Sequence, residues 1–188
     1  MKKLILTLVA SLALVSAAQA DNQATFVYGN QKDDTTHALT DVLMLDLKTS
    51  VFKYTDADLL VINKTAVGKN VVTNRYEGGI TVTYPLVDAV SVYIRPSVGY
   101  KQKSGAEGFY YYTSEEGIKL KLPYDFSATV GYQYRNSFDT GNKDQLGTMR
   151  YYLGYNVTPK DKIILGKFQD ISGYNCANTY WAGYTHSF

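Results

Sequence analysis

Seven basic residues recur at alternate positions of short alternating segments: Arg75, Arg95, Lys119, Lys121, Arg135, Arg150 and Lys167, with Glu77 and Glu115 among them. On one face of neighbouring strands they form stacked cationic rings, which draw anions into a narrow passage. Paired with the acids, they instead form a lattice of ion pairs that fills it. Asp46, Asp56 and Asp58 join that face if the segments around them are strands. Asp56 and Asp58 have the i, i+2 spacing that puts two carboxylates on one strand face, and His37 closely follows Asp33 and Asp34. His186 and Ser187 are adjacent, so on a strand they point to opposite faces, the wrong geometry for a base that must touch a nucleophile. Two histidines and one cysteine, Cys176, are too few ligands for a His/Cys metal centre. No glycine loop leads into a helix to cradle phosphate. These residue types suit a polar lumen better than catalysis; no enzyme activity, metal or cofactor is expected.

A lumen requires strands, and several windows alternate cleanly. From Arg75 to Tyr84 one face reads Tyr76, Gly78, Ile80, Val82, Tyr84 and the other Arg75, Glu77, Gly79, Thr81, Thr83. Phe126 to Arg135 repeats the pattern, with Phe126, Ala128, Val130, Tyr132 and Tyr134 apolar, as does Thr148 to Val157. At the carboxy-terminal end, Tyr180, Ala182, Tyr184, His186 and Phe188 lie opposite Thr179, Trp181, Gly183, Thr185 and Ser187. No helical period competes in these windows. Ten strands are predicted, over 24–31, 37–48, 51–62, 75–85, 90–101, 113–122, 125–136, 146–157, 161–171 and 179–188. Segment 51–62 is the least regular, because Leu59 to Ile62 is apolar throughout; without 24–31 and 51–62 the count is eight. Tight turns are expected at 48–50, 85–88, 122–125 and 158–161. Longer polar connections are expected at 31–36, 63–74, 102–110, 136–145 and 172–178.

Alternation also fits an exported soluble β-domain, so the distinction rests on the two faces. Tyr76 and Tyr84 bracket an apolar stretch, as do Phe126 and Tyr134. Eight steps of ~3.3 Å give roughly 26 Å along a strand, which a tilt of ~40° projects to about 20 Å, near the apolar band that aromatic girdles flank. The opposite face carries Arg75, Glu77, Arg95, Glu115, Lys119, Lys121, Gln133, Arg135, Arg150, Lys167 and Gln169, with glycines between them. Strands in hydrocarbon must close on themselves, because lipid offers backbone groups no partner. The expected fold is therefore all-β: a closed antiparallel transmembrane β-barrel of about ten strands over residues 21–188. Pro96, on the apolar face, removes one ladder hydrogen bond and is expected at an irregularity. Lys2, Lys3, the apolar run Leu4–Val15 and Ala18-Gln19-Ala20 read as a signal peptide over 1–20, cleaved after Ala20. A formal net charge of +2 gives no argument for nucleic acid.

The signal ending in Ala18-Gln19-Ala20, the alternating strands and the terminal Phe188 resemble the small outer-membrane β-barrels of Gram-negative bacteria. That resemblance implies a bacterial outer-membrane location and contact with its lipid and lipopolysaccharide. It also implies that Tyr180, Tyr184 and Phe188 form a carboxy-terminal signal for the barrel-assembly machinery. The ending Gly183-Tyr184-Thr185-His186-Ser187-Phe188 and the basic positions resemble the small monomeric porins for acidic oligosaccharides, which have about twelve strands and longer chains. Asp56-Ala57-Asp58 is similar to half of the rim site of the omptin proteases, whose Asp–His pair has no Asp-x-His counterpart here. His186-Ser187 departs from the His-x-Ser of the lipid A deacylases. The reading is an integral outer-membrane barrel, structural or surface-exposed, with a narrow basic lumen; the alternative is a small channel for anions or acidic oligosaccharides.

Overall fold

The computed structural model describes residues 22–69, 71–139, 141, 144–173 and 176–188; the expected signal peptide and its cleavage site lie outside them. Ten antiparallel strands follow one another: β1 (Asn22–Asp33), β2 (Leu39–Phe52), β3 (Thr55–Ala66), β4 (Val72–Val87), β5 (Val90–Lys103), β6 (Phe109–Lys121), β7 (Phe126–Ser137), β8 (Leu146–Asn156), β9 (Asp161–Gly173) and β10 (Ala177–Ser187). Each pairs with its neighbours in sequence, and β1 pairs with β10 from Gln23↔Ser187 to Asp33↔Ala177, closing the barrel. Both weak segments hold a strand, 24–31 within β1 and 55–62 within β3, so the count is ten rather than eight.

Period-two sequence becomes period-two environment. Along β4, Ile80, Val82 and Tyr84 are 51%, 41% and 61% exposed, while Arg75, Glu77 and Thr81 are buried. A soluble protein shows the reverse, apolar inside and charged outside. Here the charged face is the interior and the apolar face is the outer wall.

Most strands are longer than the sequence predicts, and most loop-side connections shorter. The stretch 48–50 is not a turn: β2 continues to Phe52 and the chain reverses at Lys53–Tyr54. Likewise β4 continues through Pro85 to Val87. The polar stretch 63–74 is mostly ladder, with Asn63 paired to Asn74 and Lys64 to Thr73, and Asn63 Nδ2 donates to Asn74 Oδ1 at 2.8 Å. Polar residues at strand ends satisfy one another across the ladder, so polarity there does not signal a loop. On the turn side the connections are 53–54, 88–89, 122–125 and 157–160. On the loop side they are 34–38, 67–71, 104–108, 138–145 and 174–176. Pro96 sits where the β4–β5 pairing passes from Gly79↔Ser97 to Val82↔Ile94 without it, and it pairs only with Ser114 of β6. The register is the same on both sides of that gap, so Pro96 interrupts the β4–β5 pairing mid-strand without a bulge.

The interior has two unlike walls. On β9, β10, β1, β2 and β3 it is apolar: Val27, Val42, Met44, Ile62 and Trp181 form a buried cluster, with Leu60, Tyr152, Ile164 and Phe168 against it. Trp181 fits because Gly166 faces it; a Cβ there would lie 2.1 Å from the indole ring. The opposite wall, β3 to β8, is ionic.

That division corrects one expectation. Lys167 and Gln169 do not face the lumen. On β9 it is Ile164, Phe168 and Asp170 that line the interior, while Ile163, Leu165 and Ile171 are exposed on the outer wall and Lys167, half-buried, shares their face. Lys167 pairs with the outward Tyr180, and its Nζ lies 5.6 Å over that ring. Assigning charge to the inside fails on β9 because the interior surface there belongs to the apolar cluster.

Candidate functional site

The ionic wall is built on alternate residues of β3 to β8, so its register follows from the strand pairing. Glu77 on β4 is its centre. Its carboxylate accepts from Arg75 at 3.0 Å, Arg95 at 2.5 Å, Ser97 at 2.9 Å and Tyr111 at 3.0 Å. Arg95 on β5 reaches back to Asp58 on β3, its Nε within 3.0 Å of both carboxylate oxygens. Arg75 Nε donates to Tyr111 Oη at 3.2 Å. Tyr111, fully buried, occupies the space left by Gly99, where a Cβ would come within 2.4 Å of the phenol. A charge withdrawn from water costs several kcal/mol unless its partners are close and well aligned; here each guanidinium has a carboxylate and each carboxylate has several donors.

A second group lies on β5 to β8. Glu115 accepts from Tyr93 Oη at 2.7 Å and from Arg150 at 2.7 Å. Arg150 also donates to Gln133 Oε1 at 2.6 Å, and its guanidinium carbon lies 4.7 Å over the Phe168 ring. Arg150 thus spans from the ionic wall to the apolar wall. Nearer the loop side, Asp144, in the connection 138–145, is held by Lys101 at 2.7 Å and by Arg135 at 2.9 Å. Burial pushes its carboxyl up, but those two cations outweigh burial and hold it below the ordinary carboxylate range. Lys64, beside them, donates to Gln31 Oε1 at 2.7 Å.

Two chambers result. One, of about 440 Å³, extends to the turn side, where Pro159, Lys160 and Ser187 line it. The other, of about 430 Å³, extends to the loop side past Lys64, Lys101 and Asp144. Met44, Leu60 and Arg150 line both. These three side chains therefore stand at the waist between the chambers.

Of the residues singled out from sequence, Arg75, Glu77, Arg95, Arg135 and Arg150 are brought together in the ionic wall. Lys119 faces inward near the turn side, donating to Thr83 at 2.9 Å. Lys121 is exposed at the end of β6. Tyr76, Tyr84, Phe126 and Tyr134 are on the outer wall, as are Tyr180 and Tyr184. Phe188 is 62% exposed, beyond the end of β10, its ring edge-on to His186. Asp56 and Asp58 point inward near the turn side, whereas His37 is in connection 34–38 on the loop side. The omptin-like grouping is therefore not assembled. His186 and Ser187 do take opposite faces, with His186 on Asp161 at 2.9 Å and Ser187 lining the lower chamber.

Sequence reasoning missed Lys64, Lys101, Asp144 and Asp170. Lys64 and Asp144 were read into loops, Lys101 stood at the last position of its predicted strand, and Asp170 follows from the β9 register. It missed the apolar wall as well, although Trp181 on an otherwise small, polar face was a visible signal.

This is the fold of the small outer-membrane β-barrels. The COG4313 outer membrane channel from Pseudomonas putida F1 superposes with a TM-score of 0.62 at 9% identity, over 90% of this chain and 96% of that one. The NanC porin gives 0.60 at 9% identity, over 87% and 100%. The KdgM porin, solved in complex with disordered oligogalacturonate, gives 0.52 at 12% identity, over 88% and 99%. No protein-family model and no curated sequence matches the chain. At such identities the likeness establishes architecture alone.

Proposed function

We propose that the mature chain is an integral barrel of the bacterial outer membrane, structural or surface-exposed, with a narrow lumen held shut at its waist. The observation that carries this reading is the inversion of faces: an apolar, aromatic outer wall around a charged interior, in a closed sheet with no free edge. Such a wall needs hydrocarbon around it, and closure is what hydrocarbon demands of strands. Arg150, reaching Glu115 and Gln133 from one side and Phe168 from the other, supports a plugged interior, as expected when few strands leave little room. Tyr76, Tyr134, Tyr84 and Phe126 serve as girdles at the two interfaces. Tyr180, Tyr184 and Phe188 serve as the strand that the assembly machinery reads, and lipopolysaccharide surrounds the loop side. In this role the chain performs no catalysis.

The test has two parts. Refolded protein that fails to show heat-modifiable migration in detergent gels, or that fractionates as a soluble species, removes the membrane reading. Planar bilayers then decide the lumen: the plugged barrel gives no discrete conductance steps.

A second reading is favoured by the two chambers. They extend to opposite ends and share Met44, Leu60 and Arg150 in their linings, and the loop-side chamber gathers Lys64, Arg75, Lys101 and Arg135 against Asp144 and Asp170. A basic lumen of this kind suits a small channel for anions or acidic oligosaccharides. In that case steps appear, and Arg95→Glu and Arg150→Glu shift the reversal potential toward cations; an unchanged potential rejects the channel reading.

A further inference from the structure

Two charged residues on the outer wall have no place in a barrel that stands alone in lipid. Lys167 is the central residue of β9, and Glu116 is one step from the centre of β6. Both project from the outer wall. Their surroundings are apolar: Ile94 and Ile118 near Glu116, and Ile163, Leu165 and Ile171 along β9, are each about half exposed. A lysine at the bilayer midplane of such a wall is strongly destabilising and a glutamate somewhat less so, so the pair needs a reason to persist.

Neither residue is neutralised within the chain. Among the described residues Glu116 has no hydrogen-bond or ion-pair partner. Lys167 has only uncharged ones, Gln169 Oε1 at 3.2 Å and the Tyr180 ring. They cannot meet each other, because β7 and β8 stand between their strands. Yet they have opposite charge, and each lies mid-strand, Glu116 five residues and Lys167 six residues from the turn-side end of its strand. One row toward the loop side of Glu116 the wall is low, because Pro96 and Ser114 pair there and both face outward. A long side chain from outside can lie in that recess and reach the carboxylate.

We infer that copies of this barrel associate side by side in the membrane, Lys167 of one inserting beside Glu116 of the next. This rests on the membrane reading above. The contact is heterologous, β9 against β6, so each barrel offers one surface of each kind and the assembly is a ring or a row rather than a two-fold dimer. Each contact pairs two charges in a medium where an unpaired charge is costly.

Cysteine crosslinking tests this with the charges left in place. In a Cys176→Ser background, Ile118→Cys and Leu165→Cys lie one outward step toward the turn side from Glu116 and Lys167. The two proteins are refolded together into phosphatidylcholine vesicles and oxidised. The expected product is a dimer joining the two different variants, with neither crosslinking to itself. Glu116→Lys in the Ile118→Cys protein or Lys167→Glu in the Leu165→Cys protein should reduce the yield about ten-fold or more, Glu116→Gln should also reduce it, and the two swaps made together, one in each protein, should restore it. No mixed dimer, dimers of a single variant, or a yield indifferent to the charge swaps would overturn the inference. Heat-modifiable migration is measured on every sample. Barrels that fold and insert but do not crosslink sink the association alone, whereas wild-type protein that does not insert sinks the membrane reading and the association with it.

Discussion

Glu77→Gln is the sharpest probe of the ionic wall. Glu77 is 1% exposed and accepts four hydrogen bonds, from Arg75, Arg95, Ser97 and Tyr111. Glutamine preserves the volume but removes the charge and turns one acceptor into an NH₂ that faces donors. Arg95 keeps Asp58 as a carboxylate partner, so its loss is partial. Arg75 keeps only the neutral Tyr111, so one guanidinium is left without a counter-charge. Breaking a buried pair costs about 3–5 kcal/mol. Arg75 lines the loop-side chamber, where water can solvate part of the orphaned charge, so about 3 kcal/mol is expected. The assay is reversible guanidinium unfolding of the barrel refolded in vesicles, followed by Trp181, the only tryptophan. Glu107→Gln, exposed in connection 104–108, is the control and should stay within about 0.5 kcal/mol. A loss below about 1 kcal/mol for Glu77→Gln would refute the reasoning, because it would mean that water screens the wall as it screens surface pairs.

Further outcomes follow from the same geometry. Gly166→Ala places a methyl against the Trp181 indole and should cost about 1–3 kcal/mol by overpacking, with a shift in tryptophan emission that Gly78→Ala, facing open space, does not produce. A spin label at position 167 should be relaxed by oxygen dissolved in lipid rather than by a water-soluble nickel complex; the opposite accessibility would return that residue to the lumen. Asp144, with its carboxyl held low by Arg135 and Lys101, ties connection 138–145 to the wall. A carboxyl whose folded-state value lies below its unfolded one stabilises above the ordinary range near pH 4 and loses that contribution as pH falls through the lowered value. Amide exchange in that connection should therefore rise, relative to the rest of the barrel, only under strongly acidic conditions, and Asp144→Asn should abolish the pH dependence.

The strand count, the closure and most of the interior were legible because β4, β7, β8 and β10 alternate without interruption. What misled was composition at the margins. Asn63, Lys64 and Thr65 looked like loop and are ladder, because two strand ends pair polar residue to polar residue. Leu59 to Ile62 looked irregular because both faces of β3 are apolar there, Leu60 and Ile62 meeting the apolar interior and Leu59 and Val61 lying on the outer wall. The same interior caused the misreading of β9, where Ile163, Ile164 and Leu165 give no alternation and Lys167 was sent inward by its charge. Asp144 reaches the lumen from a connection rather than a strand, and no periodicity announces such a residue. Glu116 was passed over for the converse reason: its strand register was right, and the register itself put a carboxylate on the wrong side of the wall.

The trimmed connections on the loop side bear on what the cell exterior can meet. None of 34–38, 67–71, 104–108, 138–145 and 174–176 is long enough to raise a domain above the rim. In the proposed placement, with lipopolysaccharide around the loop side, connections this short add little beyond the strand ends. Antibodies, phages and proteases arriving from outside would find almost nothing to grip, and any molecule that docks on this protein must either be small enough to sift through the sugars or already be travelling in the plane of the membrane.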